Sequence, residues 1–156
     1  MPAYFLDTSA VVKRQIAEPG HTWVRALCSP DAGNSIAIAE ITLVEVPATF
    51  SRMARETPKR IRVARRDRLI ADFEDRVRRQ YEVVRITRNI YTQAAGLCRV
   101  HPLRAYDAVQ LACALTRRDD DLASGSPAPT FVCADAALLA AAAAEGLGTE
   151  NPNTHP

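Results

Sequence analysis

Four carboxylates stand where their spacing gives them chemistry to do. Asp7 closes the apolar run AYFL at residues 3–6, and Asp135 follows TFVCA at 130–134. Each falls where a strand gives way to a helix. In an open parallel sheet, ligands bind beyond the carboxyl ends of the strands. Both side chains therefore project toward one sheet edge. Each also reads as the cap of the helix that follows it. Asp107, in LRAYDAVQLACAL, shares a helical face with Leu103, Leu111 and Ala114. A carboxylate beside an apolar face needs a cation, a basic partner or a helix N-terminus. Glu45 lies in EITLVEV. Thr42-x-x-Glu45 also fits a capping box, in which the glutamate reaches back to the cap amide. Glu40 competes with it for any role. Pro47, tolerated only near a helix start, sets that start close to Glu45.

Four carboxylates meeting at one edge cannot all be charged without a cation. An oxygen-only donor set favours Mg²⁺ or Mn²⁺ over Zn²⁺, and such ions leave room for phosphate oxygens and an activated water. Without metal, crowded acids share protons, so at least one pKa rises. The basic residues point the same way. Residues 51–88 carry 13 basic and 6 acidic side chains, whereas both flanking segments are net negative and the whole chain is +2. Nearly all the cations are arginine, whose fork matches phosphate. The competing reading is a solvated helix face balanced by pairs such as Arg68–Asp72 and Asp72–Arg76. Acids beside an arginine-rich face suggest phosphodiester hydrolysis.

The elements that must position these groups alternate. Strands are expected at Ala3–Asp7, Ser35–Ala39, Tyr81–Ile86 and Thr130–Ala134. Helices are expected from Thr8, over His21–Cys28, from Thr42 to about Glu56, over 59–79 with Leu69, Phe73 and Val77 on one face, over 88–100 behind a Thr87 cap, over Leu103–Arg118, and from Asp135 to near Gly146. Residues 119–129 (DDDLASGSPAP) read as a solvated polar loop, and GTENPNTHP as a loop at the end. The order implies an α/β/α three-layer domain with a mainly parallel sheet.

The chain has 156 residues, 47% hydrophobic and 24% charged, which is the profile of one soluble domain. Residues 1–150 form that domain in this reading and 151–156 a tail. No apolar run reaches the roughly 18 residues of a membrane span, and MPAYFLDTSA lacks the features of a secretory signal. Cys28, Cys98, Cys113 and Cys133 form no CxxC pair and read as buried thiols in a reducing cytoplasm. Ser124-Gly125-Ser126 is no nucleophile elbow, and no phosphate loop is present. The position two residues after Asp7 is Ser9, where an aspartate-nucleophile phosphatase carries a second aspartate.

YFLDTSAVV at 4–12, ITLVEV at 41–46, LRAYDAVQLACAL at 103–115 and TFVCADAALLAAAAAEGL at 130–147 resemble the successive motifs of PIN domains. More narrowly, they are similar to the VapC-type toxins of prokaryotic toxin–antitoxin pairs. The resemblance implies a small α/β fold and a Mg²⁺- or Mn²⁺-dependent ribonuclease. It implies Asp7 and Asp107 as main metal ligands, with Glu45 and Asp135 completing the acidic cluster and Thr8 or Ser9 supporting it by hydrogen bonds. It also implies an RNA substrate, a homodimer and a cognate antitoxin that blocks the acidic groove. Pro47 departs from the pattern and bears on the aim of Glu45. The alternative is a catalytically inactive RNA- or protein-binding module on the same fold.

Overall fold

The structure, a computed structural model, describes residues 1–58 and 60–155. Five strands, β1 (Ala3–Leu6), β2 (Ser35–Ala39), β3 (Tyr81–Val84), β4 (Thr130–Val132) and β5 (Gly148–Glu150), form one sheet in the order β3-β2-β1-β4-β5. Every neighbouring pair is parallel. Seven helices flank it: α1 (Thr8–Lys13), α2 (His21–Leu27), α3 (Thr42–Arg55), α4 (Val63–Arg79), α5 (Arg88–Val100), α6 (Ala105–Ala123) and α7 (Ala136–Ala144).

The strand side chains alternate between two cores. Phe5, Ala37 and Phe131 pack with α5, α6 and α7 on one face. Leu6, Ile36, Ile38 and Val132 pack with α1, α2, α3 and α4 on the other. This is the expected three-layer α/β/α arrangement, and its sheet is wholly parallel. From β1 the order runs to β2 and β3 on one side and to β4 and β5 on the other. The switch point, where a parallel sheet offers its crevice, therefore lies between β1 and β4.

Several local expectations are corrected. α6 does not stop at Arg118 but continues to Ala123. Asp121 is buried, and both of its carboxylate oxygens accept from Arg117 Nε at 2.8 Å. That pair carries the helix through the acidic run. Residues 148–150 are not loop but strand β5, held by pairing with β4. α4 starts at Val63, and Lys59, within the range expected for that helix, lies outside the described residues. α3 starts at Thr42, so Pro47 sits inside the helix rather than at its start. Cys98 is exposed, and only Cys28, Cys113 and Cys133 are buried. Gly20 has φ +86°, and a Cβ there would stand 2.2 Å from the Pro152 carbonyl oxygen. This close approach, with Trp23 stacked on His155 at 4.2 Å, seats the final turn, Pro152–Thr154, against α2. Among the described residues, no helix is long and apolar enough to cross a membrane.

Candidate active site

β1 and β4 are in register through Leu6 and Val132, so the residues after them emerge side by side. The Asp7 amide donates to the Val132 carbonyl at 3.1 Å. Asp7 caps α1: its Oδ1 accepts from the Ala10 amide at 3.2 Å and from Ser9 Oγ at 2.6 Å. Ser9 Oγ in turn accepts from the Ala134 amide at 2.9 Å. One hydroxyl thus joins the end of β1 to the turn that carries Asp135. Asp135 caps α7 through Oδ1 and the Leu138 amide at 2.9 Å. Capping uses one oxygen of each carboxylate. No protein hydrogen bond reaches Oδ2 of either among the described residues, so capping and a second task are compatible.

Asp7 is buried. Burial pushes its carboxyl up to about 6, against the opposing pull of the Ser9 hydroxyl and nearby amides. No second carboxylate contributes, so the expected rise comes from desolvation rather than from crowding.

Glu45 does not close a capping box. Its Oε2 accepts from Thr8 Oγ1 at 2.5 Å and from Gln110 Nε2 at 2.7 Å. Gln110 Nε2 also lies 3.0 Å from both Thr8 Oγ1 and Thr42 Oγ1. A carboxylate oxygen at 2.7 Å requires the amide nitrogen there. Gln110 Oε1 is left buried without a partner. Gln110 and Thr42, both buried, were not picked out as site residues in the sequence. The available signal was a single amide inside the apolar run AVQLACAL. Glu40 leaves the contest: its Oε2 accepts from the Ile86 amide at 2.8 Å, pinning the chain after β3.

Asp107 is in the first turn of α6, three residues before Gln110 and on the same face. Its nearest cation is Arg104 at 3.5 Å, itself highly exposed. No hydrogen bond among the described residues links Asp107 or Asp135 to Asp7 or Glu45. Among the described residues, no three His, Cys, Asp or Glu side chains form a preassembled metal-binding group. The donor chemistry fits a hard divalent cation nonetheless: every candidate ligand is a carboxylate oxygen. The buried Asp7 carboxylate has no cationic partner among the described residues, and Gln110 Oε1 has no donor. Lys13 was also missed. It is buried, and its Nζ donates to the Pro19 carbonyl at 3.0 Å beside Glu18 at 3.4 Å.

Comparison with known proteins adds the following. The PIN domain family model matches residues 4–124, a span that includes Asp7, Glu45 and Asp107 but not Asp135. No curated protein sequence matches the chain. A toxin–antitoxin complex from Klebsiella pneumoniae aligns with TM-score 0.58 and 17% identity, over 96% of this chain and 97% of its own. VapBC2 from Rickettsia felis, bound to a DNA fragment from their promoter, gives 0.59 and 14%, over 96% and 98%. FitAcB from Neisseria gonorrhoeae gives 0.56 and 15%, over 96% and 97%. At these identities the likeness is one of fold.

Proposed function

The chain belongs to the PIN-domain family, and we propose on that premise that it is a divalent-metal-dependent endoribonuclease, the toxin of a toxin–antitoxin pair. One observation carries the reading. Asp7 and Asp135 flank the switch point of the sheet, while Thr8 and Gln110 bring Glu45 of α3 and the Asp107 face of α6 to the same edge. The antitoxin partner is supported by the toxin–antitoxin complexes among the structural neighbours. A homodimer and a cytoplasmic location belong to the same proposal.

Asp7 and Asp107 are the main ligands for Mg²⁺ or Mn²⁺, and Glu45 and Asp135 complete the set. When bound, the ion would lower the pKa of water and neutralise charge on the scissile phosphate. Ser9 fixes Asp7 Oδ1, and Oδ2 is the oxygen that would hold the ion. Thr8 and Gln110 hold Glu45 Oε2, leaving Oε1 to accept a proton from the attacking water. Asp135, anchored at one oxygen to α7, orients that water with the other. In-line attack by that water forms a new P–O bond and breaks the P–O3′ bond, and the departing 3′-oxygen takes a proton from solvent, leaving 5′-phosphate and 3′-hydroxyl ends.

The test is cleavage of a pool of single-stranded and structured RNA with Mg²⁺, Mn²⁺ or EDTA. Wild type should cut with metal only, and Asp7→Asn and Asp107→Asn should not cut. One observation favours the inactive-module reading: among the described residues no three acids close on a point. Calorimetric titration with Mn²⁺ separates the two, since wild type that binds no metal is a dead site.

A further inference from the structure

The arginines of α4, with Arg62 at its N-cap, fall into two sets. Arg66 is held by Asp67, and Arg78 and Arg79 by Asp75. Among the described residues Arg62, Arg65, Arg68 and Arg76 enter no ion pair; the expected Arg68–Asp72 and Asp72–Arg76 pairs do not form. Positions 65, 69, 72 and 76 follow one stripe of the helix. That stripe walls an open cavity of about 490 Å³, lined also by Arg14, the residue that ends α1, and by His21 and Arg25 of α2. Four guanidinium groups thus share one space with a single carboxylate, Asp72. Arg14 is fixed by neutral acceptors: Tyr81 Oη and Gln80 Oε1 at 2.7 Å, and the Cys28 carbonyl at 3.1 Å. They aim the charge without cancelling it. Arg76 Nη1 and both amide atoms of Gln15 are buried with no partner. Unpaired buried polar groups favour a ligand that bonds them.

The cavity has neighbours linked to it through shared lining side chains. Arg65 also lines a hollow of about 390 Å³ with Arg60, Arg62 and Arg68. Arg60, paired with Glu18 at 2.9 Å, lines a third of about 340 Å³ that reaches Thr8, Ser9 and Ala134 beside Asp7. Arg65 and Arg60 thus stand between the large cavity and the hollow lined by Thr8 and Ser9, the two residues that follow Asp7. Arg65 and Arg76 are about 16 Å apart along the helix, a span that suits a row of anions rather than one. The large cavity offers few apolar anchors, chiefly Leu69 and Pro30, where a docked peptide helix needs several.

We infer that this arginine track grips the phosphate backbone of single-stranded RNA, with Arg65 and Arg76 holding phosphates several nucleotides from the bond placed at Asp7. The inference rests on the ribonuclease reading. Its test is fluorescence anisotropy of the full chain, in EDTA, with an end-labelled single-stranded RNA about 12 nucleotides long. Arg65→Ala with Arg76→Ala should weaken binding about tenfold at low salt and flatten the log–log salt slope by about 1.4, two phosphates' worth. Arg78→Ala with Arg79→Ala removes the same charge from the same helix and should change affinity less than about twofold. Lysine at 65 and 76 should restore most of the binding. Arg65 is exposed, so Arg65→Ala alone carries the test if the Arg76 change disturbs folding. Equal losses in both doubles would reduce the track to net charge and overturn the inference. So would unchanged RNA affinity in the first double, equal affinity for duplex DNA of the same length, or a loss confined to an acidic peptide probe. RNA bound through the track but uncut with Mn²⁺ would sink the ribonuclease reading alone. RNA cut normally by the Arg65/Arg76 double, with unaltered binding, would sink the track alone.

Discussion

Asp7 is a buried carboxylate without a cation among its protein neighbours, and its proton equilibrium follows. Its folded-state pKa is about 6 against an ordinary 3.8. The protonated form is favoured by folding, so the associated stability is present below pH 4 and lost as pH rises through 6. Asp7→Asn keeps the acceptor used by Ser9 and Ala10 and removes the charge. In EDTA at pH 7 it should therefore be more stable than wild type by about 1–3 kcal/mol, with the difference vanishing near pH 4; urea melts across pH 4–7 read this directly. An Asp7→Asn variant no more stable at pH 7 would show that the carboxylate is solvated. Gln110 makes the opposite prediction. Gln110→Leu leaves Thr42 and Glu45 Oε2 short of a donor, so stability should fall by about 1–3 kcal/mol and cleavage by about 10–100-fold. At this scale the sequence was legible where an acid follows a strand, because strand ends fix direction. It was not legible at Gln110 or Thr42, whose task depends on three elements meeting. The capping-box spacing at Thr42 and Glu45 misled because α3 begins one residue earlier than that box requires: Ile41, not Thr42, is its cap, and Glu45 turns to Thr8 and Gln110.

Elements were legible where periodicity was strong and misread where charge or brevity disguised them. Asp119-Asp120-Asp121 looks like solvent-exposed loop until Arg117 is placed one turn before Asp121 and across from Glu82 Oε2 at 2.5 Å. That pairing extends α6 and ties it to β3. Asp121→Ala should uncouple the end of α6, lowering stability by about 1–3 kcal/mol and exposing residues 117–123 to faster amide exchange. β5, only Gly148–Glu150, has no apolar alternation to announce it; pairing with β4 makes it a strand. Pro47 is a second case. Inside α3 it supplies no amide to the carbonyl four residues back. Pro47→Ala should raise the melting temperature by several degrees, since a proline in a helix interior costs up to about 3 kcal/mol. If Glu45 is aimed by Thr8 and Gln110 rather than by the proline, cleavage should stay within about twofold of wild type; a larger change would return the aiming role to Pro47.

Across the whole molecule, the four acids come from opposite layers of one sheet. Asp7 and Glu45 belong to elements packed in the core of α1–α4, and Asp107 and Asp135 to helices on the α5–α7 side. Their separation in the structure means that closing them on an ion links both layers. Binding to the folded state alone stabilises it by about 2.7 kcal/mol at a hundredfold excess over Kd. For a chain of this length that is about 5–10 °C in melting temperature. Mn²⁺ should therefore raise the melting temperature of wild type, and EDTA should reverse the rise. The shift should be lost in Asp107→Asn, whose carboxylate is partly buried and pairs with the exposed Arg104, and in Asp7→Asn despite its higher metal-free stability. The arginine track predicts an independent behaviour, because it lies on the α1–α4 face and needs no metal: Arg65→Ala with Arg76→Ala should leave the Mn²⁺ shift intact while weakening RNA. A Mn²⁺ shift that survives both aspartate substitutions would place the ion elsewhere, and with it the chemistry assigned to this edge.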